Sequence, residues 1–344
     1  MAATLSEVNA RTFQLGFAGV GWLGESLIKE LPRFSQLRLA AVQDTNLELA
    51  RQVAQRYTCR LYTADYAELM NLAKLDAVVI CTPNTFHAPQ AQAAVRAGKH
   101  VLVQKPLALS PKDARATLDL AGSHQRVLFV DYTYRYLPTI QAFYACLEGL
   151  GKLRAVRAVF HNIYGPGKAW FFDPALSGGG ALMDLGVHLI DLGVWLLQPR
   201  HARLEHVELS FTQGYAVEDA ATVQFRFDTV PFEMQVSWKA PRPLTEIAFE
   251  VEAEGGRLRW ENVDGSFFHF RTWRDDTLLL DRETTLREDT LREFLKALQT
   301  RQEPINDERV YRLLRGAYRF RLTSARPSTT PAHSTNTPRR PEPT

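Results

Sequence analysis

Two short segments carry side chains able to hold a charge or move a proton. Gln104-Lys105-Pro106 ends an apolar run, where Pro106 halts ladder pairing and fixes the direction in which Lys105 leaves a sheet. Asp184-Leu-Gly-Val-His188, with Asp191 beyond it, lies in the apolar stretch Ala181–Leu197. Asp184 and His188 stand at i, i+4 and so share a helix face. A buried acid and imidazole need partners or a ligand. A hydrogen-bonded core pair meets that need as well as a ligand does. A metal held by Asp184, His188 and Asp191 fits the spacing, but no further His or Cys cluster completes it, so no metal is assigned.

A second constellation suits a dinucleotide. Gly19-Val20-Gly21-Trp22-Leu23-Gly24 follows the candidate strand Phe13–Ala18 and opens a helix. The glycines permit a tight turn, close approach of a pyrophosphate and close helix–strand packing, and the helix start offers unpaired N–H groups. Asp44 ends the next strand, twenty residues beyond Gly24, where a ribose-binding acid belongs. A strand-end Asp also forms turns. As a ligand it would accept from both ribose hydroxyls and repel a 2′-phosphate, and Thr45 and Asn46 follow it rather than Arg. NAD is therefore expected in preference to NADP. A third segment, Cys81-Thr82-Pro83-Asn84-Thr-Phe-His87, lies at the carboxyl end of a strand, where open parallel sheets place ligands.

The elements that must position these residues alternate through the first 130 or so positions. Candidate strands Phe13–Ala18, Leu37–Gln43, Arg60–Tyr62, Ala77–Cys81, His100–Val103 and Val127–Val130 are separated by helical patterns. That alternation predicts a doubly wound parallel sheet with helices on both faces. Beyond Tyr136-Leu137-Pro138 strands dominate: Ala155–Ile163, Glu205–Gln213, Ala220–Phe227, Phe232–Trp238, Glu246–Glu252 and Arg257–Glu261. Helices are expected at about Thr290–Gln299 and Asp307–Thr323. The fold class is thus α/β: a Rossmann domain over 1–132, then an α+β domain with a large, mostly antiparallel open sheet over 133–326. Residues 327–344 hold five Pro, seven Ser or Thr and one apolar side chain, Ala332, and are expected to be disordered.

Composition narrows the partners. In 344 residues, 41 Lys and Arg stand against 38 Asp and Glu, a formal net charge of +3 that makes no case for nucleic acid or an anionic membrane. Three isolated cysteines, Cys59, Cys81 and Cys146, read as reduced thiols of a cytoplasmic protein. No secretory signal is visible at the N-terminus, and the acidic groups of Ala181–Leu197 argue for a buried helix over a membrane span. An alternating apolar face on an open sheet is expected to drive a homodimer or homotetramer through that sheet.

Taken together, GVGWLG, Asp44, CTPNTFH, QKP, YRYLP and GGGALMDLGVHLIDL resemble the Gfo/Idh/MocA oxidoreductases, from about Phe13 to Thr323. The resemblance implies nicotinamide-dependent oxidation or reduction of a sugar, a cyclitol or a derivative. It implies that His188 removes the hydroxyl proton, that Lys105 stabilises the alkoxide, and that Asp184 orients His188 and binds a neighbouring hydroxyl. Thr82, Pro83, Asn84 and His87 match the stretch beside the nicotinamide half of the cofactor. Gln104 departs from the family's usual Glu and is read as tuning that end of the site. Sugars stack on aromatic faces and bond to Arg, so Tyr134, Arg135 and Trp170 are candidate pocket residues, with core packing as the equal alternative; Trp22 within the glycine turn and His161, Asn162 and Tyr164 at a strand end are similar candidates. An NAD-dependent glycosidase and a non-catalytic NAD-sensing regulator are the competing functions on the same fold.

Overall fold

Strand β1 (Phe13–Ala18) is buried along nearly its whole length, because helices cover both faces of the sheet it centres. The computed structural model describes residues 11–239, 243–302 and 306–324; the expected disordered tail lies outside them. β1 is joined by β2 (Leu37–Gln43), β3 (Leu61–Thr63), β4 (Ala77–Ile80), β5 (His100–Gln104) and β6 (Leu128–Asp131). All pair in parallel, in the order β3-β2-β1-β4-β5-β6. The order reverses between β1 and β4, which opens a crevice at the carboxyl ends of the strands.

The connecting helices are α1 (Trp22–Glu30), α2 (Leu47–Arg56), α3 (Tyr66–Met70), α4 (His87–Arg96) and α5 (Pro111–Ser123). Their starts follow from local chemistry. Asn46 accepts from the Leu49 amide at 3.1 Å, and Ser110, ahead of Pro111, accepts from the Asp113 amide at 3.1 Å.

The rest of the chain runs α6 (Pro138–Leu147), β7 (Leu153–His161), α7 (Pro174–Ser177) and α8 (Val187–Leu197). Seven strands follow: β8 (Ala202–Ser210), β9 (Ala220–Phe227), β10 (Val230–Ser237), β11 (Glu246–Ala253), β12 (Gly256–Asn262), β13 (His269–Arg274) and β14 (Thr277–Glu283). Helices α9 (Leu286–Thr300) and α10 (Glu308–Ser324) close the described chain. Strands β7 to β14 form one eight-stranded sheet, antiparallel except where β7 pairs with β10. β13 and β14 were not expected from the sequence. β14 buries no side chain, so it carries no apolar alternation to read.

Burial alternates along β9 and β11, and the inward set (Val223, Phe225, Phe249, Val251) packs with α6 and α8 side chains in one core. The outward set is not the apolar face expected. It carries Arg157, Glu250, Glu252, Arg259 and Glu261, with Arg157 bonded to Glu252 at 2.6 Å and Arg259 to Glu261 at 3.0 Å. Period-two patterning puts apolar side chains on one face only, and here that face is already covered.

One late element returns to the first sheet. Leu291, Phe294 and Leu298 of α9 share a core with β1 and β2, and Phe294 meets Phe129 edge-on at 5.6 Å. Among the described residues, one helical segment, Pro174–Leu197, is long and apolar enough to cross a membrane, and 78% of its most apolar 18-residue window is buried inside the protein.

Candidate active site

The glycine-rich turn is built as its spacing predicts. Gly19 takes φ +79°, and a Cβ on Gly24 would lie 2.1 Å from the Gly19 carbonyl oxygen, so neither position takes a side chain without a shift. Gly21 is the N-cap of α1 and supplies no side-chain cap, which leaves the first N–H groups of the helix facing the crevice. Asp44 Oδ2 accepts from the Val20 amide at 3.0 Å, tying the end of β2 to this turn, while Oδ1 accepts from the Asn46 amide at 3.0 Å. The turn, the bare helix start and the strand-end acid form a cradle that fits a dinucleotide.

A cleft of about 430 Å³ lies beside this cradle. Its wall includes Trp22 and Leu23 of the glycine turn; Cys81, Thr82, Asn84 and His87 after β4; and Gln104 and Lys105 at the end of β5. Asp184, Trp170 and Phe171 come from the second half of the chain.

Lys105 Nζ donates to Asp184 Oδ1 at 2.8 Å and to the Asp184 carbonyl at 2.7 Å. Asp184 Oδ2 accepts from the Trp238 indole at 3.1 Å. His87 is wedged between the carbonyls of Pro106 and Thr82, each 2.7 Å from a ring nitrogen. It braces the 82–87 segment against the Lys105–Pro106 corner, and burial lowers its pKa. Asn84 Nδ2 reaches the Ser177 carbonyl at 2.9 Å, a second link between the two halves of the chain.

His188 is placed differently from the sequence reading. A π-helical turn, Leu182–Gly186, with more residues per turn than an α-helix, precedes α8. Although the two residues stand at i, i+4, Asp184 is hydrogen-bonded by Lys105 and Trp238 and not, among the described residues, by His188. The expectation that Asp184 orients His188 is corrected accordingly. His188 is half-buried, its ring edge-on to Tyr134 at 5.0 Å and its Nδ1 buried without a hydrogen-bond partner among the described residues. Burial, with Lys105 and Arg287 nearby, holds its pKa well below the ordinary 6.5.

The pocket roles expected of Tyr134 and Arg135 are also corrected. Tyr134 is buried among Phe160, Trp260 and Phe270. Arg135 forms a buried ion pair with Asp191, Nε to Oδ2 at 2.6 Å, which removes Asp191 from any metal site. Neither residue lines the cleft. Trp170 does reach the cleft wall, and so does Asn162.

The GGG stretch serves the local structure. Glu218 Oε1 accepts from the Gly180 and Leu182 amides at 2.9 and 3.1 Å, pinning the start of this helical segment.

Two contributors to the site escaped the sequence reading. Lys168 carries its Nζ to 2.8 Å from where a Cβ on Gly21 would stand, placing an ammonium over the glycine turn; an exposed Lys in a loop carries no pattern that singles it out. Trp238 ends an expected strand, and only the packing shows its indole reaching Asp184.

Residues 13–132 match the oxidoreductase family's NAD-binding Rossmann fold, and residues 148–259 match the GFO/IDH/MocA C-terminal domain. UDP-N-acetylglucosamine 3-dehydrogenase of Acidithiobacillus ferrooxidans is 34% identical over 247 residues, 72% of this chain and 71% of that protein. The chain belongs to the Gfo/Idh/MocA oxidoreductase family. D-glucoside 3-dehydrogenase of Escherichia coli K12 is 34% identical over 166 residues, a match that spans only 47% of each protein. The crystal structure of GenD2 from gentamicin A biosynthesis, in complex with NAD, superposes with a TM-score of 0.79 at 26% identity, covering 93% of this chain and 96% of that one. Within this family fold, the lysine and acid of the QKP and DLGVH motifs meet across the cleft.

Proposed function

We propose that the chain is an NAD-dependent dehydrogenase that oxidises a ring hydroxyl of a sugar, cyclitol or glycoside. The observation that carries this reading is the Lys105–Asp184 bridge, formed at the carboxyl edge of a parallel sheet in the same cleft as the glycine turn. Bound NAD would supply the hydride acceptor. Gly19 to Gly24, the bare start of α1 and Asp44 would hold its adenosine and pyrophosphate half; Thr82, Pro83, Asn84, His87 and Gln104 would line the nicotinamide half. Lys105 would donate to the reacting hydroxyl and stabilise the alkoxide as hydride leaves. His188, neutral at pH 7, would receive the hydroxyl proton. Asp184 would hold Lys105 aimed into the cleft. Trp170 and Phe171 offer aromatic faces for a sugar ring.

Two relatives are named for oxidation at carbon 3 of a glycoside or nucleotide sugar, which makes C3 of a hexopyranoside the first position to test. A regulator that only senses NAD would have no use for the Lys105–Asp184 bridge, and that reading is not favoured. The enzyme is read as cytoplasmic, with Cys59, Cys81 and Cys146 as free thiols. A dimer or tetramer formed through the outer face of the large sheet belongs to the same reading; with that face charged, its stability should fall as salt rises.

The test is a screen of glycosides, aldoses and inositols with NAD and NADP in parallel, following NADH absorbance. Net NADH formation with at least one sugar is expected, with NAD preferred. Asp44→Ser should narrow or reverse the preference. Tighter binding of NADPH than NADH by the unmodified protein overturns the cofactor assignment.

A further inference from the structure

Gln104 and Asp131 are direct partners across β5 and β6, the last two strands of the parallel sheet, and both are buried, at 6% and 1% exposure. Gln104 Nε2 donates to Asp131 Oδ2 at 2.7 Å, and Thr290 Oγ1 of α9 donates to Asp131 Oδ1 at 2.8 Å. A carboxylate only accepts, and Nε2 is the only donor a glutamine side chain has. Asp131 therefore settles which way the amide faces. Gln104 Oε1 has no partner among the described residues and is not sealed off in the core, and Gln104 lines the cleft beside Lys105. The negative charge that the family's usual Glu would bring to position 104 sits here one strand away. Burial raises the Asp131 carboxyl, while Arg287, Gln104, Thr290 and Lys105 pull it down.

We propose that Asp131 is a positioning residue: it holds the Gln104 amide with Oε1 toward the cleft, so that the pair offers the bound dinucleotide a hydrogen-bond acceptor backed by a single negative charge. This rests on the reading of the cleft as the NAD site. In Asp131→Asn, the Thr290 hydroxyl can keep donating to the oxygen at position 131, which leaves an N–H₂ facing Gln104. The Gln104 amide must then turn over to accept from it, and a donor replaces the acceptor in the cleft. In the double variant Gln104→Glu/Asp131→Asn, that N–H₂ donates to one oxygen of the new carboxylate and the other oxygen faces the cleft. Acceptor and charge are both restored, with their owners exchanged.

The experiment is fluorescence titration of the full chain with NADH, alongside steady-state kinetics and melting curves. Asp131→Asn should raise the Kd for NADH and the KM for NAD about five- to tenfold, the scale of one hydrogen bond lost at a buried site, with a smaller change in kcat. Gln104→Glu alone sets two carboxylates face to face, which cannot both ionise, and should also weaken binding. The double variant should recover Kd to within about twofold of the unmodified protein, a coupling that independent sites do not show. A lower Tm with unchanged Kd in Asp131→Asn makes Asp131 merely structural and overturns the proposal. So does a double variant no better than Gln104→Glu, and this comparison stands even where Asp131→Asn fails to fold. An unmodified chain that does not bind NADH overturns the reading of the cleft itself, which separates that failure from this one.

Discussion

Lys105 and Asp184 stand 79 residues apart in the chain, yet the lysine ammonium meets both the carboxylate and the main-chain carbonyl of that one residue. Lys105 follows the last residue of β5, and Asp184 lies on the π-helical turn before α8, so the contact couples the two halves of the chain at the mouth of the cleft. Both side chains keep a little exposure, 17% and 15%, on the cleft side. A pair so placed can open toward a third polar group without unfolding anything around it.

Removing either member should therefore cost turnover more than folding. Lys105→Ala is expected to lower kcat roughly 10²–10³-fold, the range for loss of one oxyanion donor. Asp184→Asn should fall in the same direction, with Trp238 still bonded to the amide oxygen. The double variant should lose much less than the product of the two, because groups that act as a unit are not additive. Steady-state kinetics on the three variants checks this; fully multiplicative losses would show that the bridge is not a working unit.

The position of His188 gives a pH dependence. Its folded pKa lies well below 6.5, through burial first and the charges of Lys105 and Arg287 second. A base works in its neutral form, so activity is lost as pH falls through that depressed value, and the ascending limb of kcat/KM should sit below pH 6.5. Lys105→Ala removes one of the depressing charges and should move the limb upward in the residual activity. His188→Ala should lower kcat roughly 10²–10⁴-fold and erase the limb. A variant that only melts earlier, with normal turnover of the folded fraction, would make His188 a core residue.

Arg135 and Asp191 make the opposite prediction. Their pair is sealed in the core, and Arg135 also lies 5.0 Å from the Tyr132 ring centre. Burial pushes the Asp191 carboxyl up to about 6 even against the pull of Arg135. Arg135→Met strands a buried acid and should destabilise the fold by about 3–5 kcal/mol. NADH affinity of the folded protein should not change, and Arg135→Met/Asp191→Leu should recover much of the loss. Denaturant titration measures it; lost cofactor or sugar binding at full stability would return Arg135 to the pocket.

The sequence by itself determined the parallel sheet, the glycine turn and the strand-end acid. Each is a local fact: apolar runs buried on both faces, glycines where a Cβ would clash, an Asp whose distance along the chain is set by one helix and one strand. It also marked Lys105, Asp184 and His188 as the polar residues in apolar surroundings that need partners. Which partners they have was decided only by the tertiary structure. Asp184 and His188 share the i, i+4 spacing, yet Asp184 is bonded to Lys105 at the end of β5 and to the Trp238 indole, partners that the helix period does not predict. Tyr134 and Arg135 have the residue types of a sugar pocket, and nothing in their order along the chain shows that Asp191 and Trp260 enclose them. Lys168 reaches the cleft from a loop, and Asp131 meets the cleft residue Gln104 from a neighbouring strand, at sequence distances that carry no period. Periodicity records which face of an element is buried; it does not record which residue from a distant element is waiting there.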